Sequence, residues 1–441
     1  GSILVAGFST YGFLGPQGQA PLHKNSDPAQ DMFLLKLDPS GEYLWHTFYG
    51  ANGFFDTARD IAVDGLGNIY LAGSSGATWN GPAGQLPKHA FSGTDGNIVI
   101  LKLNDDGGYL AHTFYGPTTN GASSEEIVID SSTNMYIVGN SGNTWNGPAG
   151  QPPLHAMTGT HDITVLKLNG KFEYQWHTFY GGTELNDGFA LGLSGTTLVI
   201  AGDSDNGWNG PAGQRPIRAH TGSSYEGVLI KLNLDGAYIW HTFHGIRSLF
   251  SNVYIDADQN IYAGGFSYEI WLGPAGQQPT HKPATREFDN AAHLLKLNAA
   301  GAYQWHAFFG GALGANFLSI DGGPDGTLYV TGMSDDTWYG NGNIPPAHAF
   351  SGASRNLTVV AVSDSGSYQW HTFYPASEGT GLVYDAAAQR VLVGGKAKAA
   401  WSGDAGQPPL HAYANSEDVL ILSLLDTGPA PRGLYLPFVK R

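Results

Sequence analysis

The sequence has no cysteine, only four methionines and few charges: Lys and Arg total 21, and Asp and Glu 37, in 441 residues. Without thiols there is no disulfide, no thiolate metal site and no cysteine nucleophile. Charged residues make up 13 % of the chain, about half the usual ~25 %. That is too few for helical bundles, whose exposed faces need Glu, Lys and Arg. The basic residues are scattered and the formal net charge is −16. A nucleic-acid partner requires a basic stripe that neutralises phosphate, so none is expected, and anionic membrane surfaces are disfavoured for the same reason. No apolar run reaches the ~18–20 residues of a membrane span, so no membrane span is expected. The chain opens at Gly1 straight into the strand-like GSILVAG with no signal peptide, which predicts a trimmed N-terminus.

What the chain does have is glycine (63), proline (24) and a 12 % aromatic share. This mixture suits many short strands joined by glycine turns. The motif WHTFYG begins at Trp45 and returns with small changes at Ala111, Trp176, Trp240, Trp305 and Trp370, in steps of 64–66 residues. A second anchor, close to W-N-G-P-A-G-Q, opens at Trp79, Trp145, Trp208, Trp271, Trp338 and Trp401, and Phe13 takes its first place in the earliest copy. A period of this size with strand content signals a propeller rather than a helical solenoid. The expected fold is all-β: one seven-bladed β-propeller over 1–441, with four-stranded antiparallel blades. Its repeats run over about 1–50, 51–116, 117–181, 182–245, 246–311, 312–375 and 376–441.

Within one repeat the pattern predicts strand a at 57–64 (TARDIAVD), b at 68–73 (NIYLAG), c at 97–103 (NIVILKL) and d at 109–115 (YLAHTFY). The β-branched and aromatic runs support strands. The near-continuous apolar runs of b and c suit a sheet covered on both faces. Compact Asp/Asn/Gly turns join a to b (Asp64-Gly65-Leu66-Gly67-Asn68) and c to d (Asp38-Pro39-Ser40-Gly41). The b–c connection is a long Gly- and Pro-rich loop, TWNGPAGQLPKHAFSGTDG in the second repeat. In a four-stranded meander the b–c and d–a connections leave from one face. The expectation is therefore one flat face of tight turns and an opposite face carrying seven long loops, the natural place for contacts.

The runs FDTARDIAVDGLGNIYLAG (55–73), ILKLN (100–104) and YLAHTFYG (109–116) together resemble the SBBP repeat, a bacterial β-propeller repeat. The resemblance covers essentially the whole chain and implies a propeller from a secreted or surface protein, hence an extracellular or cell-surface location. The b–c loop departs from that repeat: the WNGPAGQ insert and its following His are longer than the short loop usual there. The ending YLPFVKR (435–441) is similar to the endings of many secreted Chloroflexi proteins.

Counting strands gives 27, one short of 28, because the first repeat starts at strand b. The C-terminal tail, 433–439, fits strand d of the last blade, or else crosses over to fill the missing place in the first. A vacant strand position is a pairing template and invites strand donation. Ile3 and Val5 at one end, and Leu434, Leu436 and Phe438 at the other, are the candidate terminal-strand assembly residues.

The strongest local signal is the repeated Trp loop. Phe13, Trp79, Asn80, Gln85, Trp145, Asn146, Gln151, Trp208, Asn209, Gln214, Trp271, Gln277, Trp338, Trp401 and Gln407 are the candidate ligand or interface residues. A ring flanked by amides could stack on a sugar while the amides bond its hydroxyls, giving a multivalent lectin. The same ring could instead be a plug between blades, the reading favoured here. Two histidine series recur, one on strand d (His46, His112, His177, His241, His306, His371) and one at the loop end (His23, His89, His155, His281, His348, His411, with Arg218 in the fourth place). Metal ligands must converge on one ion, and equivalent positions on successive blades diverge, so structural histidines and no metal are expected. Asp256-Ala257-Asp258 reads as a turn rather than a calcium site. Asn356-Leu357-Thr358 is the one glycosylation sequon. No repeat gathers an acid, base and nucleophile, so a non-enzymatic chain without a cofactor is expected. The predicted function is a self-associating structural or adhesive subunit, in a filament or surface layer, with glycan binding as the alternative.

Overall fold

The computed structural model describes all residues except 27–28, 223, 284–288, 353–354, 404–405, 414–416, 426–431 and 439–441, with 432–438 described as backbone only. It is an all-β seven-bladed propeller with 27 strands and no helix among the described residues. The first sheet has three strands, β1 (Ile3–Ser9), β2 (Asp31–Leu37) and β3 (Tyr43–Tyr49), in that order. The second contains β4 (Asp56–Val63), β5 (Ile69–Ser75), β6 (Asn97–Leu103) and β7 (Tyr109–Tyr115); the third β8 (Ala122–Ile129), β9 (Met135–Ser141), β10 (Asp162–Leu168) and β11 (Tyr174–Tyr180). The fourth contains β12 (Asn186–Ser194), β13 (Thr197–Ser204), β14 (Glu226–Asn233) and β15 (Tyr238–His244); the fifth β16 (Ser248–Ile255), β17 (Ile261–Ser267), β18 (Ala291–Leu297) and β19 (Tyr303–Phe309). The sixth contains β20 (Ala315–Gly322), β21 (Leu328–Ser334), β22 (Asn356–Val362) and β23 (Tyr368–Tyr374); the seventh β24 (Ser377–Asp385), β25 (Arg390–Ala397), β26 (Asp418–Leu425) and β27 (Arg432–Phe438). Each sheet is a simple meander in chain order.

The chain divides into two compact units, one of Gly1–Pro216 with Ile230–Trp240, the other of Ile217–Leu229 with the residues from His241 onward. In the first, strands b and c carry the core. Tyr70, Ile98 and Ile100 of the second sheet pack on Ile127, Met135 and Ile137 of the third. In the second, Leu294 and Phe309 meet Phe317, Leu328 and Val330 in the same way. Lysines of strand c tie neighbouring sheets together. Lys36 Nζ donates to the Asp105 carbonyl (2.8 Å) and carboxylate (2.6 Å), Lys167 to the Leu234 carbonyl (2.8 Å) and Lys296 to the Asp364 carbonyl (3.0 Å).

The C-terminal tail is strand d of the seventh sheet. β27 pairs antiparallel with β26 from Arg432↔Leu425 to Phe438↔Val419, so it does not cross to the first sheet. The side chains of Leu434, Leu436 and Phe438 lie outside the described residues.

Simple alternation along strand a misses one feature. All six a strands carry a β-bulge at the same place, between Ala58/Asp60, Ser124/Glu126, Gly188/Ala190, Phe250/Asn252, Phe317/Ser319 and Gly379/Gly381. Opposite each bulge strand b has a glycine: Gly73, Gly139, Gly202, Gly265, Gly332 and Gly395. A Cβ there would lie on the carbonyl oxygen of Thr57, Ser123, Asp187, Leu249, Asn316 or Glu378 respectively. The bulge re-aims strand a, and only a residue without a side chain tolerates its approach. Gly73→Val is expected to destabilise the fold by about 3 kcal/mol in urea unfolding. Gly394→Ala, whose Cβ would meet nothing within 4 Å, should change little.

Candidate functional site

The b–c loops do not stand on one face of the sheets. In the first six sheets each folds down along the outer strand of its own blade and returns, forming a two-limbed strap. Gly81, at the turn of the second strap, is so close to Tyr109, the first residue of β7, that a Cβ would come within 2.8 Å of its ring. The strap tip thus sits at the end carrying the tight c–d turns, and the expected division into a flat and a decorated face does not hold. The returning limb pairs with strand d: Leu22 N donates to His46 O (2.9 Å) and Phe48 N to His23 O (3.0 Å). The same exchange joins Lys88 with His112 and His89 with Phe114, and Leu154 with His177 and His155 with Phe179. The strap therefore occupies the free edge of the outer strand.

The repeated Trp is the hinge of this arrangement. Trp79, Trp145, Trp271, Trp338 and Trp401 are buried, as is Phe13, and Trp208 is half-buried. Trp79 stacks on His112 at 3.9 Å and 7°, Trp145 on His177 at 3.7 Å and 9°, Trp271 on His306 at 4.1 Å and 12°, and Trp338 on His371 at 3.6 Å and 9°. Phe13 stacks on His46 in the same manner. The last aromatic of the preceding outer strand also reaches the ring: Tyr49 to Trp79, Tyr115 to Trp145, Tyr180 to Trp208, Phe309 to Trp338 and Tyr374 to Trp401. These rings are packing surfaces, not bare platforms for a sugar.

The glutamine side-chain oxygens close the turn. Gln85 Oε1 accepts from Ala83 N, and Gln151, Gln214 and Gln277 accept likewise from Ala149, Ala212 and Ala275, each at 2.9 Å. Asn80, Asn146 and Asn209 are exposed beside their tryptophans.

Both histidine series bond within the repeat. On strand d, His177 Nε2 meets the carbonyl of Trp145 (2.9 Å) and its Nδ1 the Tyr174 hydroxyl (2.7 Å). His46, His112, His306 and His371 repeat this with Phe13, Trp79, Trp271 and Trp338, and with Tyr43, Tyr109, Tyr303 and Tyr368. The tyrosine partner is legible as a Y-x-x-H spacing on the first six strands d. At the loop end, His23, His89, His155, His281 and His348 Nδ1 face the carbonyls of Phe48, Phe114, Phe179, Phe308 and Phe373, and Arg218 donates to that of Phe243 at 2.8 Å. No group of three potential metal ligands occurs among the described residues. The Asp256 carboxylate is filled by Asn260 N, Asn260 Nδ2 and the Tyr262 hydroxyl, a turn closure. Asn356 of the sequon is buried at the start of β22, its Oδ1 accepting from Ser351 N.

The first sheet is the exception to this closure. Strand b is buried along nearly its whole length in the second to sixth sheets, whereas in β1 only Ile3 is buried, Leu4, Val5, Ala6 and Gly7 are half-buried and Phe8 is exposed. Ile3 and Val5, singled out from sequence, both lie on this strand. β1 pairs with β2 and, among the described residues, has no strand on its other side.

Burial holds the strand-d imidazoles neutral, with His177 pushed down to about 4. The unfolded chain, with an ordinary value near 6.5, takes up this proton first, so its contribution to stability is lost as pH falls from 6.5 toward 4. His177→Phe should therefore gain on the parent by about 1–2 kcal/mol between pH 7 and pH 5, read from paired urea titrations. Trp145→Ala should destabilise by roughly 3–5 kcal/mol, read the same way.

The chain has likenesses among solved structures. The Pan2 WD40 domain of Neurospora crassa is 8 % identical over 87 % of this chain and 79 % of that one, with a TM-score of 0.46. Sqt1 from Chaetomium thermophilum is 9 % identical over 99 % and 93 %, with a TM-score of 0.44. At these scores they carry no argument. No curated protein matches the sequence. Residues 44–78, which run from β3 through β4 and β5 into the second strap, match the SBBP family of β-propeller repeats, and the chain carries that repeat.

Proposed function

We propose that this propeller is a non-enzymatic structural subunit that self-associates at an extracellular surface. The observation that carries the reading is the half-exposed β1, the one strand b whose apolar residues Leu4, Val5 and Ala6 are not buried. Elsewhere the repeated histidines, glutamine oxygens and lysines bond to turns, straps and neighbouring sheets. An apolar strand edge left open is a pairing site, and association through it would join one molecule to another without any catalytic group. The resemblance to the SBBP repeat is what supports the extracellular placement. Buried, histidine-stacked tryptophans give the glycan alternative no platform.

Sedimentation velocity of the purified chain should show concentration-dependent association. Phe8→Lys, at the exposed end of β1, should weaken it while leaving the circular dichroism spectrum unchanged. A parent chain that stays monomeric throughout the concentration range would overturn the proposal.

A further inference from the structure

Two buried histidines belong to neither recurrent series. His293 is the third residue of β18, the place of Phe33, Val99, Thr164, Val228 and Thr358 in other sheets. His244 ends β15, the place of Tyr49, Tyr115, Tyr180, Phe309 and Tyr374. Both are sealed from solvent, His293 at 0 % and His244 at 2 % exposure. The Trp271 ring lies 5.9 Å from His293 and 6.3 Å from His244, centre to centre. All three residues belong to the second compact unit. Neither ring nitrogen of His293 has a hydrogen-bond partner among the described residues, nor have His244 Nδ1, Ser248 Oγ and Trp271 Nε1. A Cβ on Gly245 would lie 2.5 Å from Ser248 Oγ and 3.2 Å from Trp271 Nε1, so hydroxyl and indole stand together beside His244. Trp145 and Trp338 share the unpaired indole; the two imidazoles are peculiar to this place. By contrast His306, stacked on the same Trp271 ring, is filled by the Tyr303 hydroxyl and the Trp271 carbonyl.

Buried polar side chains in native interiors have partners, and an imidazole with both nitrogens unanswered calls for one. Burial keeps both rings neutral, at values of about 3, so the partner needs no charge. A metal ion would need a third ligand, and no group of three potential ligands occurs among the described residues. A neutral imidazole offers one donor and one acceptor, an indole one donor, and a hydroxyl both. The partner that suits this set is small, neutral and able to give and accept hydrogen bonds at once. We infer that His244 and His293, with Ser248 Oγ and Trp271 Nε1, form an internal binding site for water between the end of β15 and the fifth sheet. Water donates to one ring while it accepts from another and from the indole, and such a site needs two to four polar partners. Val99 and Val228, at the place of His293, bring no polar atom and need no such guest. The site is independent of β1 and of self-association.

The test is a crystal structure of the full chain at a resolution that orders internal solvent. The expected result is a solvent peak within about 3 Å of a His293 nitrogen, and equally close to at least one of His244 Nδ1, Ser248 Oγ and Trp271 Nε1. The structure of His293→Val, with the residue that Val99 and Val228 supply elsewhere, should lose the peak. His244→Tyr, the residue of four other outer strands, serves in the same way if valine impairs folding. A dry site in the parent, a peak unchanged in a folded variant, or anomalous scattering from a metal at the peak overturns the inference.

Discussion

An outer β-strand cannot be left bare. Its unpaired N–H and C=O groups lose hydrogen bonds if buried and recruit foreign strands if exposed. Each blade of a propeller has such an outer strand, and the first six repeats meet this constraint in the same way. The solution is the strap: a long loop that leaves strand b, runs down the outer strand, turns at the Gly-Pro segment and returns in hydrogen-bonded contact with strand d. Most of the recurrent residues are explained by it. The Trp–His stack fixes the descending limb, the Gln side chain closes the turn, and the second His or Arg anchors the returning limb.

The electrostatics follow from the same closure. Imidazoles placed between an aromatic ring, a carbonyl and a phenol are buried and held neutral, with values of about 4 for His112, His177 and His306. Buried Asp56 is pushed up to about 7 for the same reason, although Ala51 N and the Ser75 hydroxyl stabilise its carboxylate. Shifted titration is thus distributed through the repeats as a consequence of packing. A count of perturbed groups does not by itself locate a site in a protein of this kind.

Much of the fold was legible because a propeller repeats its errors and its successes alike. Strands c and d were placed on their observed ends, Asn97–Leu103 and Tyr109–Tyr115, since apolar runs and tight turns bound them on both sides. Strand a was offset by one residue and its bulge was not seen, because a bulge leaves the composition of a strand unchanged and shows only in pairing. The loops were placed on the wrong surface. Connectivity says at which end a loop begins, but the loop's path depends on which ring it finds to pack against, here His112 and Tyr109 of its own outer strand.

By itself the sequence determined the number of blades and the order of strands, both properties of period and turn chemistry that are local in the chain. It also set the alternatives for the tryptophans, as sugar platform or plug. Only the tertiary structure chose between them, because stacking, burial and the covering of an edge are relations between residues some 25–35 positions apart.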